Sequence, residues 1–458
     1  MANQSFSMAE TMRVLLEKKR YNSIRDVLVT MNPADVAQVL EGLEENKLPL
    51  LFRLLPKEQA AETFVEMEPE LQELLIKGFS DSELKDVLDE LYVDDAVDIV
   101  EEMPANVVKR ILSAADPAMR REINEILRYP ENSAGSLMTT EYVSLKPEMT
   151  VEEAIRRIRR TGVDKETIYT CYVTKDRLLL GLVTVKDLLL APDDEARIES
   201  IMETNVISVN TMTDQEEVAQ MLSKYNFLAL PVLDGGGRMV GIITFDDAMD
   251  VLEDEATEDI EIMAAMTPSD KTYLRSTPFD LFRHRIPWLL LLMVSATFTG
   301  MIISRFETAL AAQVVLTAFI PMLMDTGGNS GSQSSVTVIR ALSLGELDFS
   351  NLVVAVWKEI RTAVLCGLVL GAACFGKIML IDRLLLKNPA VTPLVALVVC
   401  LALVTTVLVA KIIGCVLPLC AKKLNLDPAV MASPFITTIV DAVSLLVYFG
   451  IATALMKL

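Results

Sequence analysis

Apolar and polar positions follow three different patterns along this chain, and each predicts a different kind of element. From the start to about residue 133, apolar residues recur at spacings of three and four: Val36, Val39, Leu40 and Leu43, then Leu71, Leu74 and Leu75, then Val97 and Val100. That is the spacing of one buried helix face. Pro33, Pro56, Pro69, Pro104 and Pro117 punctuate these runs where helices begin. Three stretches look alike, DVAQVLEGL from Asp35, QAAETFVEM from Gln59 and DAVDIVEEM from Asp95. They predict a small wound stack of helix pairs. Near the other end the apolar runs become long. Five stretches, at about 287–305, 310–342, 352–381, 391–419 and 428–455, meet or exceed the roughly 17–25 residues that cross a bilayer. A soluble core helix would not recur five times at such length.

Between these regions the chain repeats itself. One copy runs from SLMTTEYVSLKPEMTVEEAI at Ser136 to GLVTVKDLL at Gly181. The second runs from SIMETNVISVNTMTDQEEVA at Ser200 to GIITFDDAM at Gly241. Each copy predicts a strand, a polar turn, a helix, two short β-rich runs and a closing helix. Asp234 with Gly235, Gly236 and Gly237 predicts a hairpin turn between β-rich runs. The pair resembles the CBS module, whose two copies pack into one disc with a cleft. That resemblance implies nucleotide contacts at Thr184 with Asp187 and at Thr244 with Asp247. The same residues also suit plain capping of the closing helices. An acidic connector, VLEDEATEDIEIM from Val251, follows.

Charge divides along the same line as apolarity. Of 458 residues, 1–278 hold 29 Lys and Arg against 54 Asp and Glu, a net of −25, while 279–458 hold 13 against 9, a net of +4. An acidic soluble part therefore precedes an apolar part. The acidity argues against nucleic acid as a partner. It suits either plain solubility or the collection of cations. There is one histidine, His284, and no CxxC pair among the six cysteines, so a zinc site is not expected. MANQSFSMAE does not read as a signal peptide. With the basic residues near the span ends, this places the N-terminal domains in the cytoplasm and the last spans in the cell membrane. The chain lacks Ser/His, Cys/His, P-loop and HExxH constellations, so it is not expected to be an enzyme.

Ionisable groups inside a membrane are costly and tend to be functional. Asp441 stands in the last apolar stretch, with Thr437 four and Thr438 three residues before it on the same helix face. Two hydroxyls and a carboxylate suit a wet pore wall. Read as one helix from Pro428, the stretch places Asp441 about 20 Å along its axis. Asp427 before Pro428 reads equally as a helix cap and as negative potential at a pore mouth. In PMLMDTGGNSGSQSS, from Pro321, the glycines offer either a break or a close-packed face, and Asn329 and Asp325 lie beside them. Oxygen donors alone suit hard cations, without selecting magnesium from manganese or cobalt.

The helical domain, the CBS pair and five spans with GGNSGSQ (Gly327 to Gln333) and LDPAVMASPFITTIVD (Leu426 to Asp441) together resemble the MgtE family of magnesium transporters. The resemblance covers essentially the whole chain. It implies a multi-domain protein: a helical-repeat sensor at 1–133, α/β CBS units at 134–198 and 199–253, an acidic connecting helix at 254–282 and a five-helix transmembrane pore domain at 283–458. It implies magnesium passage through a pore at a homodimer axis; since no ATP-hydrolysis motif is visible in the sequence, uptake is expected to run down the electrochemical gradient. The ion would be held by Asp441, with the Thr437 carbonyl and Asn329 nearby. It further implies closure when magnesium bridges acidic faces. The candidates are Asp94, Asp95 and Asp98 on one side, and Asp214, Glu216, Asp247, Asp250, Glu255, Glu258 and Asp259 on the other. ATP at the CBS pair is a further implied ligand. The competing readings are transport of cobalt, manganese or nickel, and a membrane-anchored nucleotide sensor without flux.

Overall fold

Prolines and short polar side chains set where the N-terminal helices begin. Asn32 accepts from the Ala34 N–H at 3.1 Å and so caps Pro33–Glu41, with Pro33 in the first turn where no N–H is required. Ser80 and Glu83 cap Asp81–Leu88 reciprocally. The computed structural model describes residues 2–269 and 271–457, which divide into two units, 1–252 and 253–458. In the first, the three look-alike stretches form the helices Pro33–Glu41, Lys57–Val65 and Val93–Glu102. Each buries one face: Val36, Val39 and Leu40; Ala60, Ala61 and Phe64; Ala96, Val97 and Val100. Pro33–Glu41 packs on Lys57–Val65, that on Asp81–Leu88, and that on Ala105–Ala114. Alternate helices touch, as in a stacked repeat.

The duplicated region forms two matching three-stranded sheets. Strands β1 (Tyr142–Leu145), β2 (Thr167–Lys175) and β3 (Leu178–Thr184) make the first, and β4 (Val209–Asn210), β5 (Ala229–Leu233) and β6 (Met239–Thr244) the second. In each, the first pair is parallel and the second antiparallel, with Thr170 opposite Thr184 and Ala229 opposite Thr244. Thr184 and Thr244 are thus equivalent positions, each opening a closing helix, Val185–Leu190 and Phe245–Met263. Gly181 and Gly241 are equivalent too. A Cβ at either would come within 2.6 Å of a carbonyl, of Glu203 and Thr139 respectively. The hairpin turn holds, with Asp234 Oδ1 accepting from the N–H groups of Gly236 and Arg238 and Gly237 at φ +75°.

In the second unit, four helices among the described residues are long and apolar enough to cross a membrane: Pro278–Arg305, Phe349–Leu385, Pro393–Lys423 and Pro428–Met456. The second of the five expected stretches is not among them. Its backbone turns at Gln313, at φ −141° and ψ 74°, before the 3₁₀ segment Val314–Phe319. The helix Ile320–Ser343 that follows has 24 residues, about 36 Å. It is long enough to span but rich in Gly, Ser, Thr, Asn and Gln. Gly327, Gly328, Ser330, Gly331, Ser334 and Ser335 are buried, and the helix packs on Pro393–Lys423 and Ser433–Met456. A helix held among helices needs no apolar perimeter. Gly327 and Gly328 of the GGN run therefore lie on a close-packed face while Asn329 is exposed, and the break lies upstream of the run. A Cβ on Gly414 would collide with the Gly331 carbonyl, which is how closely the two backbones pass.

The last stretch also differs from one unbroken helix. Asp427 accepts from the Ala429 N–H at 2.7 Å and caps a 3₁₀ turn, Pro428–Met431. Ala432 leaves the helical region, and the long helix starts at Ser433. Asp441 therefore lies about 12 Å, not 20 Å, along its own helix. Tyr448 donates to the Leu316 carbonyl at 2.9 Å, and Phe449 stacks on Phe306, fixing the far end of this helix.

Candidate functional site

Two groups of oxygen ligands stand out, one in each unit. In the first unit, helix Val93–Glu102 carries Asp94, Asp95 and Asp98, and Asp94 is buried. The N-terminus of this helix rests on the CBS region: the Val93 N–H donates to Glu141 Oε2 at 3.3 Å. A carboxylate there satisfies a helix-end donor and the helix dipole together. Glu141 precedes β1 and Glu166 precedes β2. The parallel pairing sets them side by side, with the Glu166 N–H on the Glu141 carbonyl at 3.0 Å. Oxygens of Asp94, Glu141 and Glu166 lie within 4.8 Å of one another. Asp247, in the first turn of Phe245–Met263, is the leading charge acting on Asp94, Asp95, Asp98 and Glu166.

Carboxylates this close resist losing their protons. Burial, then the charge of Asp247, pushes Asp95 up to about 7 and Glu166 up to about 8. The same two causes hold Asp94 well above the usual carboxylate range. Burial raises Asp247 to about 6, against the pull of its hydrogen bonds from Thr244. Among the described residues, Glu166 Oε2 is buried with no hydrogen-bond partner. Four of the expected sensor residues therefore meet, Asp94, Asp95, Asp98 and Asp247, joined by Glu141 and Glu166, which the sequence pattern did not single out.

The other expected sensor residues have further partners of their own. Asp214 caps Gln215–Tyr225 through the Glu216 N–H at 3.0 Å, and the Glu216 carboxylate accepts from Gln220. Asp250 adds its charge to Asp247 and to Glu66. In the second unit, Asp259 accepts from Ser343 at 3.3 Å. Burial raises its carboxyl first, then the charge of Asp427, with Glu255 adding to it. Asp427 thus belongs with Asp259 and Glu255, not with Asp441. Glu258 is exposed on the same helix.

The second group surrounds Asp441. Thr437 and Thr438 both donate to the Pro434 carbonyl at 3.0 Å, leaving their oxygens as acceptors. A Cβ on Gly328 would meet Thr437 Cγ2 at 3.1 Å and Asp441 Oδ1 at 3.9 Å, so this glycine lets helix Ile320–Ser343 reach Asp441. Asp325 is the charge that acts on Asp441. Asp325 and Asn329 are four apart on one helix face, both exposed.

The equivalent threonines of the CBS pair face different surroundings. Thr184 caps its helix with Asp187 and lines an open cavity of about 510 Å³ with Tyr169, Lys186, Leu189 and Leu228. Thr244 is buried beside the acidic group and bonded to Asp247. One threonine thus faces a cavity and the other the docked helix.

Comparison with known proteins matches this layout. Residues 31–132 match the family described as the MgtE intracellular N domain, 134–194 and 198–254 the CBS domain, and 320–451 MgtE, a divalent cation transporter. "Magnesium transporter MgtE" of Thermus thermophilus is 36% identical over 98% of this chain and 99% of its own length. The Bacillus subtilis protein of that name is 32% identical over 96% of each chain. A crystal structure of the cytosolic domain of the Mg2+ channel MgtE in complex with ATP is 38% identical, with a TM-score of 0.51. It covers 53% of this chain and 99% of that one. The soluble part of a magnesium transporter is 31% identical, also with a TM-score of 0.51, covering 56% of this chain and 100% of that one.

Proposed function

This chain belongs to the MgtE family of divalent cation transporters, and on that premise we propose that it carries magnesium across the cell membrane along Asp441 and closes when magnesium occupies its acidic cytosolic group. It is a transporter and not an enzyme. The observation that carries the gating reading is the helix with Asp94, Asp95 and Asp98 set against Asp247, Glu141 and Glu166. Like charges at such range separate unless protons or a cation offset them. A magnesium ion is a hard cation that takes oxygen ligands, and the group offers only carboxylates. By binding the docked arrangement better than the separated one, the ion shifts the population toward the closed state.

For the ion path, the supporting features are the carboxylate of Asp441, the oxygens of Thr437 and Thr438, and the polar face of Asp325 and Asn329. Magnesium keeps much of its water shell, so few direct ligands are needed. That polar face is exposed on a single chain, which supports a homodimer with the path between copies. The five-helix pore domain counts Ile320–Ser343 as a spanning helix on the strength of its length and its packing among the others. ATP fits the cavity at Thr184, with Tyr169 for the base and Lys186 for the phosphates; Asp187 holds Thr184 in place. The domain division at 133, 198, 253 and 282 goes with this reading.

Magnesium influx into liposomes holding the purified protein tests the path. Wild type transports, and Asp441→Ala loses flux by about tenfold or more. Equal flux in both would move the path away from Asp441. Faster flux of cobalt, manganese or nickel would change the cargo. Tight nucleotide binding with no flux would favour the nucleotide-sensor reading, for which the Thr184 cavity speaks.

A further inference from the structure

Lys411 sits near the middle of the long apolar helix Pro393–Lys423 and is 5% exposed. A lysine at that depth is costly unless paired. Its Nζ lies 4.0 Å from Glu359 Oε2 on helix Leu352–Lys377, and the two side chains are 6% and 15% exposed. It donates to Ser334 Oγ at 3.3 Å, and Ser334 Oγ in turn donates to Glu359 Oε2 at 2.6 Å. Ser334 belongs to Ile320–Ser343, the helix that carries Asp325 and Asn329. One hydroxyl thus ties a charge pair from two helices to a third. The tie comes near a close backbone approach: Gly331, three residues before Ser334, meets Gly414, three residues after Lys411. Between them the glycines and the charge pair fix how far Ile320–Ser343 slides and turns against Pro393–Lys423.

We propose that Lys411, Glu359 and Ser334 form a charge-neutral intramembrane clasp that positions the polar face of helix Ile320–Ser343 for the ion and cancels a positive charge that would otherwise repel it. In a medium of low dielectric constant an uncompensated lysine acts over many ångströms. Glu359 is therefore both the partner that makes Lys411 tolerable and the counter-charge that keeps the region attractive to a cation. All three are positioning residues and none is an ion ligand. This inference rests on transport along Asp441.

The test uses the full-length protein in liposomes, with magnesium flux measured against concentration for wild type, Glu359→Gln, Lys411→Met and the double variant. Glu359→Gln raises the half-saturating magnesium concentration by about threefold or more, and the double variant returns it toward wild type. Loss of folded protein alone scales the flux without moving half-saturation, so this readout separates positioning from mere folding. An unchanged half-saturation in both single variants, or a double variant no better than the poorer single, overturns the proposal. If a single variant does not fold, the neutral double variant folds and transports; a double variant that also misfolds overturns it. If wild type itself carries no flux, the transport reading fails. The clasp is then judged by thermal midpoint in detergent: each single variant lowers it and the double restores it, and no restoration overturns the clasp.

Discussion

At Asp94, which is buried, and at Asp95 and Glu166, which are half-buried, a carboxylate lies beside other carboxylates, and this fixes how each responds to protons and to metal. Their folded-state values lie above the ordinary carboxylate range, with Asp95 at about 7 and Glu166 at about 8. The docked form therefore binds more protons than the unfolded chain from about pH 4 upward to those values. It is favoured at low pH and loses stability as pH rises through about 7–8 in a chelator. Hydrogen exchange of helix Val93–Glu102 in the full-length protein measures this: protection falls with rising pH in EDTA, and magnesium flattens the profile. A profile that magnesium leaves unchanged would count against a metal site. Asp94→Asn or Asp247→Asn removes one ligand charge and leaves transport less inhibited by internal magnesium, with the inhibitory concentration raised by about tenfold. Inhibition at full strength after both changes would sink the sensor assignment. Asp94, Asp95 and Asp98 were legible as acids on one helix. Glu141 and Glu166 were not, because 25 residues separate them and only the β1–β2 register joins them.

Elements here are positioned by what is small as much as by what is apolar. Gly331 on one helix and Gly414 on another let backbones pass where a Cβ would collide, and Gly328 leaves room for the Thr437 side chain. Gly414→Val therefore lowers stability by about 1–3 kcal/mol or more through overpacking. A thermal melt in detergent reads this directly, and a midpoint within a degree of wild type would show that the helices can separate freely. The glycine-rich run was readable as either a break or a packed face. Its helical spacing could not choose, since glycine serves both. The chain breaks instead at Gln313, which no turn residue marks, and at Ala432, just before the helix-start signal Ser433-Pro434. Lys411 meets the same criterion that singles out Asp441, a charge within an apolar run, but its partner Glu359 lies 52 residues earlier. Only packing shows that the pair is neutral.

Across the whole molecule, the duplicated CBS unit is used asymmetrically. One threonine, Thr184, opens on a cavity beside Tyr169 and Lys186, while its equivalent, Thr244, lies beneath the acidic group. ATP binding to the full-length protein, measured by calorimetry, should weaken by about tenfold in Tyr169→Ala if the ring stacks on the base, and should be little changed in Thr244→Val. Equal loss in both would place the nucleotide elsewhere. Sequence alone determined the class of every region, because apolar spacing reports burial directly: spacings of three and four for the N-terminal helices, a strand–helix duplication for the CBS pair, and long apolar runs for the membrane helices. It also determined the divided charge and the presence of Asp441. Tertiary structure decided which acids meet, which face of the glycine-rich helix is packed, where the second apolar stretch breaks, and that Lys411 is paired. The physical reason is range. Burial and helix periodicity act between neighbours along the chain, whereas electrostatic and steric contacts act between residues that only folding brings within a few ångströms.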